Sequence, residues 1–288
     1  MQDGFALGRS FFLPWASGVA VIGLFAIFGC TQNQSPAAAP AVASPSAAPA
    51  TTQVNAAAPS AAAFDAKSVV AAPDRSEEDR ALDAGRHPAE LLELIGVRPG
   101  MKVAEIGAGG GYTTELLARA VGPSGVVYGQ NSKFILERFA EKPWSARLSK
   151  PIMKNVVRVD RDFDDPLPPE AKDLDAVVNV LFYHDTVWQN VDRARMNQTI
   201  FNALKPGGVY VLLDHSARAG SGLADVQTLH RIEESALRAE IEKAGFRLLR
   251  ESSVWRVPDD PRDWSTSPRV AGERRGTSDR FALVYAKP

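Results

Sequence analysis

A short glycine-rich stretch, EIGAGGG, contains residues whose types and spacing suit ligand binding. It spells Glu-x-Gly-x-Gly-x-Gly, from Glu105 through Gly107 and Gly109 to Gly111. A dinucleotide-binding G-x-G-x-x-G fingerprint would need a glycine where Tyr112 stands, and no Lys-Ser/Thr pair follows as in a Walker loop. Glycine allows the backbone to approach a ligand closely at positive φ. The acid favours a ligand with a cationic part over a pyrophosphate.

Two of the four histidines follow apolar runs: His184 in FYHD and His215 in LDHS, beside Asp185 and Asp214. Imidazole titrates near neutrality, so such a side chain can remove a proton from a hydroxyl or an amine. We therefore predict a catalytic set of His184, Asp185 and His215, in which His184 is the base and Asp185 orients its ring. The alternative for each histidine is a structural hydrogen bond at a strand end, and we favour that alternative for His230.

Histidine beside aspartate is also a metal-ligand combination. The spacing here matches no recognised short ligand motif, so no metal site is predicted. Tyr183 and Trp188 are candidates for the wall of an acceptor pocket, with the protein core as the alternative. His87 is expected to belong to the start of a helix rather than to the catalytic set.

Apolar runs that alternate with helical patterns surround these residues. Strands are predicted at 103–106, 125–130, 155–160, within 174–185 and at 209–215, and helices at 112–120, 132–139 and 191–203. Near-continuous Val/Leu runs between helices are typical of a parallel sheet covered on both faces. In such a sheet a ligand binds at the carboxyl ends of the strands, which is where the candidate residues lie.

The glycine stretch resembles the first motif of class I S-adenosylmethionine-dependent methyltransferases. Four further segments resemble this family in the same order: HPAELLELIGVRPGMKV, LKPGG, IEKAGFRLL and RRGTSDRFALVYAKP. The last is similar to the closing strand of a bacterial subgroup of predicted methyltransferases with an export or lipoprotein signal. The resemblance covers about residues 80–288. It implies an α/β fold: a Rossmann-like, doubly wound, mostly parallel seven-stranded sheet with helices on both faces, in a single domain. It also implies S-adenosylmethionine as the cofactor.

The resemblance implies that the cofactor lies against Glu105 and the loop glycines. The family usually has an acid at the end of the second strand that binds both ribose hydroxyls, but Gln130 and Asn131 stand there. Hydrogen bonds of neutral amides contribute about 0.5–1.5 kcal/mol, against about 1.5–3 kcal/mol for charged acceptors. In the alternative, Asn131 only caps a helix that starts at Ser132.

Two residues after the third strand are implied to bind the adenine. Asp162 would accept a hydrogen bond from the adenine amino group, and Phe163 would lie against the ring. The alternative is that the acids of residues 160–165 form only a solvated loop.

The first thirty residues predict a signal peptide or a membrane or lipoprotein anchor. Residues 11–29 are uncharged and mostly apolar, and AIFGC, ending at the only cysteine, Cys30, resembles a lipobox. Residues 31–73 are rich in Ala, Pro and Ser and predict a disordered linker, and 74–288 the methyltransferase-like domain. We predict a lipoprotein on the periplasmic face of the cell envelope, with Thr31 favouring the outer membrane. The alternatives are an uncleaved anchor and a cytoplasmic protein with a misassigned start.

The charge balance bears on the partner. With 33 Lys+Arg against 34 Asp+Glu, the formal net charge is -1, which argues against a nucleic-acid partner. Residues 255–276 form a long irregular segment, which predicts a lid or binding loop. We predict histidine-assisted methyl transfer from S-adenosylmethionine to a small-molecule acceptor. The alternative is a non-catalytic ligand-binding module on the same fold, tethered in the envelope, which the absent ribose acid and the export signal would favour.

Overall fold

Seven strands form one sheet in the computed structural model, which describes residues 64–288. They are β1 (Lys102–Ile106), β2 (Val126–Asn131), β3 (Val156–Asp160), β4 (Leu174–Val180), β5 (Leu204–His215), β6 (Arg247–Ser252) and β7 (Arg280–Ala286). Their order is β3-β2-β1-β4-β5-β7-β6. Strand β7 is antiparallel to β5 and β6, and the other neighbouring pairs are parallel. The predicted mostly parallel seven-stranded α/β sheet is confirmed.

The helices of the described residues connect these strands. They are α1 (Ala66–Val70), α2 (Glu77–Arg86), α3 (Pro88–Ile95), α4 (Tyr112–Val121), α5 (Lys133–Ile135), α6 (Glu141–Leu148), α7 (Tyr183–Trp188), α8 (Arg193–Ala203), α9 (Val226–Leu229) and α10 (Glu234–Lys243). A π-helical turn, Leu136–Ala140, joins α5 to α6, and short 3-10 turns lie at Pro151–Met153 and Gly272–Arg274. All the described residues belong to one compact unit.

The order of the parallel strands creates a crevice. From β1 the chain proceeds to β2 and β3 on one side, and from β4 to β5 on the other. Because crossovers between parallel strands are right-handed, the connecting helices α4 and α8 lie on opposite faces. The connections diverge between β1 and β4, and ligands bind in this kind of crevice at the carboxyl ends of the strands. Ile106 at the end of β1 pairs with Gln130 of β2 and Asn179 of β4, so these strand ends lie side by side.

A buried tryptophan fixes the glycine loop against the sheet. Trp144 of α6 is completely buried. A Cβ atom on Gly111 would lie 2.5 Å from its ring, and a Cβ on Gly129 of β2 would lie 2.6 Å from it. Neither distance is tolerated by real side chains, so both positions require glycine for packing. The loop is therefore held between the sheet and α6.

Several boundaries differ from the predictions. The linker was predicted to reach residue 73, but α1 already begins at Ala66, which is buried in the core. The fifth strand was predicted at 209–215, but the preceding LKPGG forms the irregular start of β5, where the register with β4 shifts. His184 does not end a strand: β4 stops at Val180, and the histidine lies in the first turn of α7.

The predicted signal segment, Cys30 and residues 31–63 of the predicted linker lie outside the described residues. None of the helices within 64–288 combines the length and hydrophobicity needed to cross a bilayer.

Candidate active site

A cavity of about 1050 Å³ opens at the carboxyl ends of β1 and β4. Its walls come from the glycine loop, the start of α7, the end of β5 and the segment 255–276, so residues distant in sequence converge on one space. Segment 255–276 also contacts the π-helical turn that joins α5 to α6, because the Arg269 guanidinium lies 4.9 Å from the centre of the Phe139 ring.

The three loop glycines differ in what a side chain at each position would contact. Gly107, Gly109 and Gly111 all have left-handed φ values, of 74°, 55° and 82°. A Cβ on Gly107 would lie 2.4 Å from the Phe182 ring, and a Cβ on Gly111 would collide with the Trp144 ring. A Cβ on Gly109 would meet no heavy atom of the described residues within 4 Å. Gly107 and Gly109 line the cavity, and only Gly109 faces open space.

Gln130 and Asn131, predicted at the ribose, are bound to the glycine loop. Both are completely buried. Gln130 Oε1 accepts from Gly107 N at 3.1 Å, and its Nε2 donates to Arg161 O at 2.7 Å. Asn131 Oδ1 accepts from Gly109 N at 2.8 Å, and its Nδ2 donates to Gly109 O at 3.1 Å. The amides brace the loop from behind. The alternative of helix capping by Asn131 is wrong, because Ser132 caps α5.

Glu105, which was predicted to contact the cofactor, lines the cavity at the end of β1. It is only 3% exposed, and its carboxyl group accepts a hydrogen bond from the Thr114 hydroxyl. Burial raises the pKa of Glu105 to about 7, although hydrogen bonds from Thr114 and Thr113 and the nearby Arg86 guanidinium oppose that shift. Near neutral pH this group is therefore poised between its neutral and charged forms.

The two predicted adenine-binding residues have separate positions. The Asp162 side chain is exposed and does not line the cavity. Phe163 is buried, and its ring packs on Phe182 with 4.8 Å between centroids. It is Phe182 that lines the cavity. Phe163 thus supports the aromatic wall from behind.

His184 is held by carboxylates at both ring nitrogens. Its Nδ1 lies 2.7 Å from Oδ1 of the fully buried Asp214, and its Nε2 lies 3.3 Å from Oδ1 of Asp185. Burial disfavours the charged imidazole, but the two carboxylates outweigh it and raise the pKa of His184 to about 10. A histidine in this state already holds its proton at neutral pH. The raised pKa weighs against the predicted role of His184 as general base, which remains a prediction.

His215 has the opposite environment. Its Nδ1 lies 2.8 Å from Ser278 Oγ, and no carboxylate within residues 64–288 contacts its ring. Burial, followed by the positive charges of His184 and Arg280, lowers the pKa of His215 well below its ordinary value. His215 is therefore neutral at pH 7, and it lines the same cavity as His184.

Asp185 and His230 complete the polar cluster. Asp185 Oδ1 accepts from the Trp188 indole N–H at 2.7 Å and lies 3.1 Å from Nδ1 of His230. All three residues line the cavity, so a pocket position is observed for Trp188 and for His230. Tyr183 instead points into the core, where its hydroxyl donates to Glu240.

Among the cavity residues that were not identified from the sequence, three contribute a charged, aromatic or hydroxyl group to the site: Arg86, Phe182 and Ser278. The Arg86 guanidinium lies 4.5 Å from the centre of the Tyr112 ring, and it has no carboxylate partner within residues 64–288. The three residues come from α2, from the turn after β4 and from the approach to β7, and no local motif marks any of them. His87, expected at a helix start, is the N-terminal cap residue of α3.

The structure can be compared with solved structures. It matches a S-adenosylmethionine-dependent methyltransferase from Aquifex aeolicus with a TM-score of 0.53 and 17% sequence identity, over 78% of this chain and 100% of the other. The chain has the class I methyltransferase fold. At this identity the likeness concerns the fold alone.

Sequence comparisons point the same way. A family model for protein-L-isoaspartate(D-aspartate) O-methyltransferase matches residues 39–157. A ubiquinone/menaquinone biosynthesis C-methyltransferase from Ectopseudomonas mendocina is 30% identical over 166 residues, 56% of this chain and 61% of the relative. A protein-L-isoaspartate O-methyltransferase from Methanothermobacter thermautotrophicus is 39% identical over 51 residues, 18% of this chain and 24% of the relative. The chain thus spans less than two thirds of either relative.

Proposed function

We propose that this protein transfers the methyl group of S-adenosylmethionine to a small-molecule acceptor. The observation that carries the proposal is that one cavity joins the braced glycine loop and Glu105 to His184, in the first turn of α7, and to His215, at the end of β5. The fold and the names of the similar proteins, all methyltransferases, support the same activity. Within residues 64–288 no contact favours a non-catalytic ligand-binding module.

The residues of the cavity fit this cofactor. When bound, S-adenosylmethionine supplies an electrophilic methyl group on a sulfonium centre. Gly107 and Gly109 permit close approach of a ligand to the backbone, and the space in front of Gly109 is open. The Glu105 carboxylate and the Arg86 guanidinium carry charges opposite to those of the ammonium and carboxylate of the amino-acid part. Phe182 offers an apolar wall.

His215 is the residue suited to take a proton from the acceptor. In the tautomer whose Nδ1–H donates to Ser278 Oγ, the lone pair of Nε2 is free, and Nε2 has no partner among residues 64–288. His184 is fixed between Asp214 and Asp185 and lies beside it, with 5.8 Å between ring centres. Methyl transfer itself depends mainly on holding donor and acceptor in line, and the base assists.

The activity is tested with the full-length protein by measuring formation of S-adenosylhomocysteine. A suitable acceptor panel contains phenols, amines, a quinone and a short isoaspartyl peptide, the last two because the similar proteins are named for such substrates. Gly109→Val should abolish cofactor binding, because its side chain fills the open space of the cavity. Gly220→Val is the matched control, because Gly220 is also left-handed (φ 79°) and open but lies outside the cavity. If calorimetry detects no binding of S-adenosylmethionine or of S-adenosylhomocysteine, the proposal is overturned.

For the cellular location we propose lipidation of Cys30 and attachment to the periplasmic face of the envelope, most simply at the outer membrane. The support is the uncharged run that ends in AIFGC and the Ala/Pro/Ser-rich residues after it. The partner is then a small molecule present in the envelope, not a nucleic acid. Cys30→Ser should fail to incorporate labelled lipid and should leave the membrane fraction. Identical fractionation and migration of variant and wild type would contradict lipidation.

A further inference from the structure

Three side chains in the cavity direct ligand atoms at one another: His184 Nε2, Asp185 Oδ1 and His230 Nδ1. We call these residues the His–Asp–His cluster. The three atoms all lie within 4.8 Å of one another. Asp185 Oδ1 is 3.3 Å from His184 Nε2 and 3.1 Å from His230 Nδ1. Two imidazoles thus approach the same carboxylate oxygen from different directions, with 5.4 Å between their ring centres and 79° between their planes.

These separations match ligand atoms that share one ion. Imidazole nitrogens and carboxylate oxygens lie about 2.1 Å from a bound zinc ion. Two such atoms are then about 3.0 Å apart at a right angle and about 3.4 Å apart at the tetrahedral angle. Both contacts of Asp185 fall in this interval, and the remaining pair, His184 Nε2 and His230 Nδ1, lies within 4.8 Å.

Asp214 supplies the outer contact that metal-binding histidines usually have. Its carboxylate accepts from His184 Nδ1 at 2.7 Å and from the His184 backbone N at 2.9 Å. Because a carboxylate only accepts, Nδ1 keeps its hydrogen toward Asp214, and a metal ion would displace the proton of Nε2, the atom turned toward Asp185. Such carboxylate–histidine pairs orient the ring and strengthen it as a ligand.

The backbone around the cluster is held in uncommon conformations. Leu181, immediately after β4, has φ of 57°, and His230, immediately after α9, has φ of 51°. Left-handed φ is unfavourable for such residues and persists where the surroundings enforce it. The Thr266 hydroxyl donates to His230 O at 2.7 Å, so the segment 255–276 fixes the position of this histidine.

We propose that His184 Nε2, Asp185 Oδ1 and His230 Nδ1 bind one divalent transition-metal ion. Two imidazoles and one carboxylate suit zinc, iron, cobalt or manganese better than calcium or magnesium, which favour oxygen ligands. Three protein ligands leave coordination positions that face the cavity. An oxygen of the acceptor would bind there; this use of the ion rests on the proposed methyl transfer, whereas binding of the ion does not.

The test is a titration of chelator-treated, dialysed full-length protein with Co²⁺, followed by its visible absorption, and measurement of bound Zn²⁺ by mass spectrometry. The wild type should bind one ion per chain. Asp185→Asn and His230→Ala should each remove stoichiometric binding. Asp214→Asn should weaken binding about 10- to 100-fold through the orientation of His184. His215→Ala is the matched control and should bind as the wild type does, because its Nδ1 is bound to Ser278.

Failure to bind either ion stoichiometrically would overturn the proposal, as would equal loss in His215→Ala and Asp185→Asn. Thermal unfolding of each variant shows whether it is folded, and His230→Ala provides a second test because its side chain is 24% exposed. Calorimetry with S-adenosylmethionine on the same samples separates the two proposals. Metal binding without cofactor binding would remove the methyltransferase function and leave the metal site.

Discussion

Asn131 holds Gly109 through both atoms of its side-chain amide. Oδ1 accepts the Gly109 N–H at 2.8 Å, and Nδ2 donates to the Gly109 carbonyl at 3.1 Å. Gly109 is the loop residue that faces open space in the cavity. The amide therefore fixes the backbone where a ligand would bind. These two hydrogen bonds require a donor and an acceptor on one side chain.

Asn131→Asp distinguishes this bracing from direct ribose binding. A carboxylate cannot donate to Gly109 O, so we expect a loss of stability of about 1–3 kcal/mol, the usual effect of a buried group left without its partner. S-adenosylmethionine should bind more weakly, because the loop is no longer fixed. Urea unfolding and calorimetry measure the two effects. Tighter cofactor binding in the aspartate variant would show that position 131 contacts the ribose after all.

Gln198→Glu is the matched control for this change. It also converts an amide into a carboxylate, but Gln198 is exposed on α8 and bonds only Asn202. Neither stability nor cofactor affinity should change appreciably, since exposed substitutions usually shift stability by less than about 0.5 kcal/mol.

Gly107→Ala and Gly109→Ala should distinguish the packing role of the glycine loop from its role in ligand binding. Both force a side chain into a left-handed conformation, which costs about 1–2 kcal/mol. Only Gly107→Ala also collides with Phe182, at 2.4 Å, and overpacking adds about 1–3 kcal/mol. We expect the larger loss of stability at Gly107 and the cleaner loss of cofactor affinity at Gly109. The reverse order in paired unfolding and calorimetric measurements would contradict this view of the loop.

The fold could be predicted because its signals are local. The apolar runs of β1, β4 and β5 and the glycine loop are each a continuous segment of sequence. The order of these elements along the chain then indicates the sheet topology. The predicted end of the linker, at residue 73, was late because α1 is only five residues long and lies next to an Ala-rich segment.

The site was predictable only in part, because its geometry depends on contacts between distant segments. The pattern FYHD placed His184 near the cavity but could not show that Asp214, thirty residues later, binds its Nδ1. Nothing local links His230 to Asp185; they meet where α9, which His230 follows, packs against α7. The roles of Gln130 and Asn131 were missed because a buried amide has the same sequence signal whether it faces a ligand or a loop.

His215→Ala should lower turnover with little effect on cofactor affinity. If His215 takes the proton of the acceptor, its removal lowers the rate about 10²- to 10⁴-fold. Ser278→Ala should give a smaller loss, because Ser278 only orients the ring through the 2.8 Å contact. Initial rates of S-adenosylhomocysteine formation, with calorimetry alongside, make the comparison. Full turnover in His215→Ala would show that the histidine is structural.

Glu105 should make both cofactor affinity and stability depend on pH near neutrality. Its folded pKa of about 7 lies above the ordinary glutamate value of 4.5, so the folded protein binds the proton more tightly than the unfolded chain does. The stabilising contribution is complete below about pH 4.5 and is lost as the pH rises through 7, by a few kcal/mol at most, since one pKa unit corresponds to about 1.4 kcal/mol. Cofactor affinity should change in the opposite sense, because only the charged form attracts the ammonium or sulfonium centre.

The comparison of wild type with Glu105→Gln isolates this group from others that titrate. The glutamine keeps an acceptor for the Thr114 hydroxyl but cannot become charged. Between pH 6 and 8 the ligand-free wild type should lose stability relative to the variant, and its affinity for S-adenosylmethionine should rise while that of the variant stays low and flat. Denaturant unfolding and calorimetry at each pH provide the two curves. Parallel curves for the two proteins would show that Glu105 does not titrate in this range, and its proposed role toward the cationic cofactor would have to be abandoned.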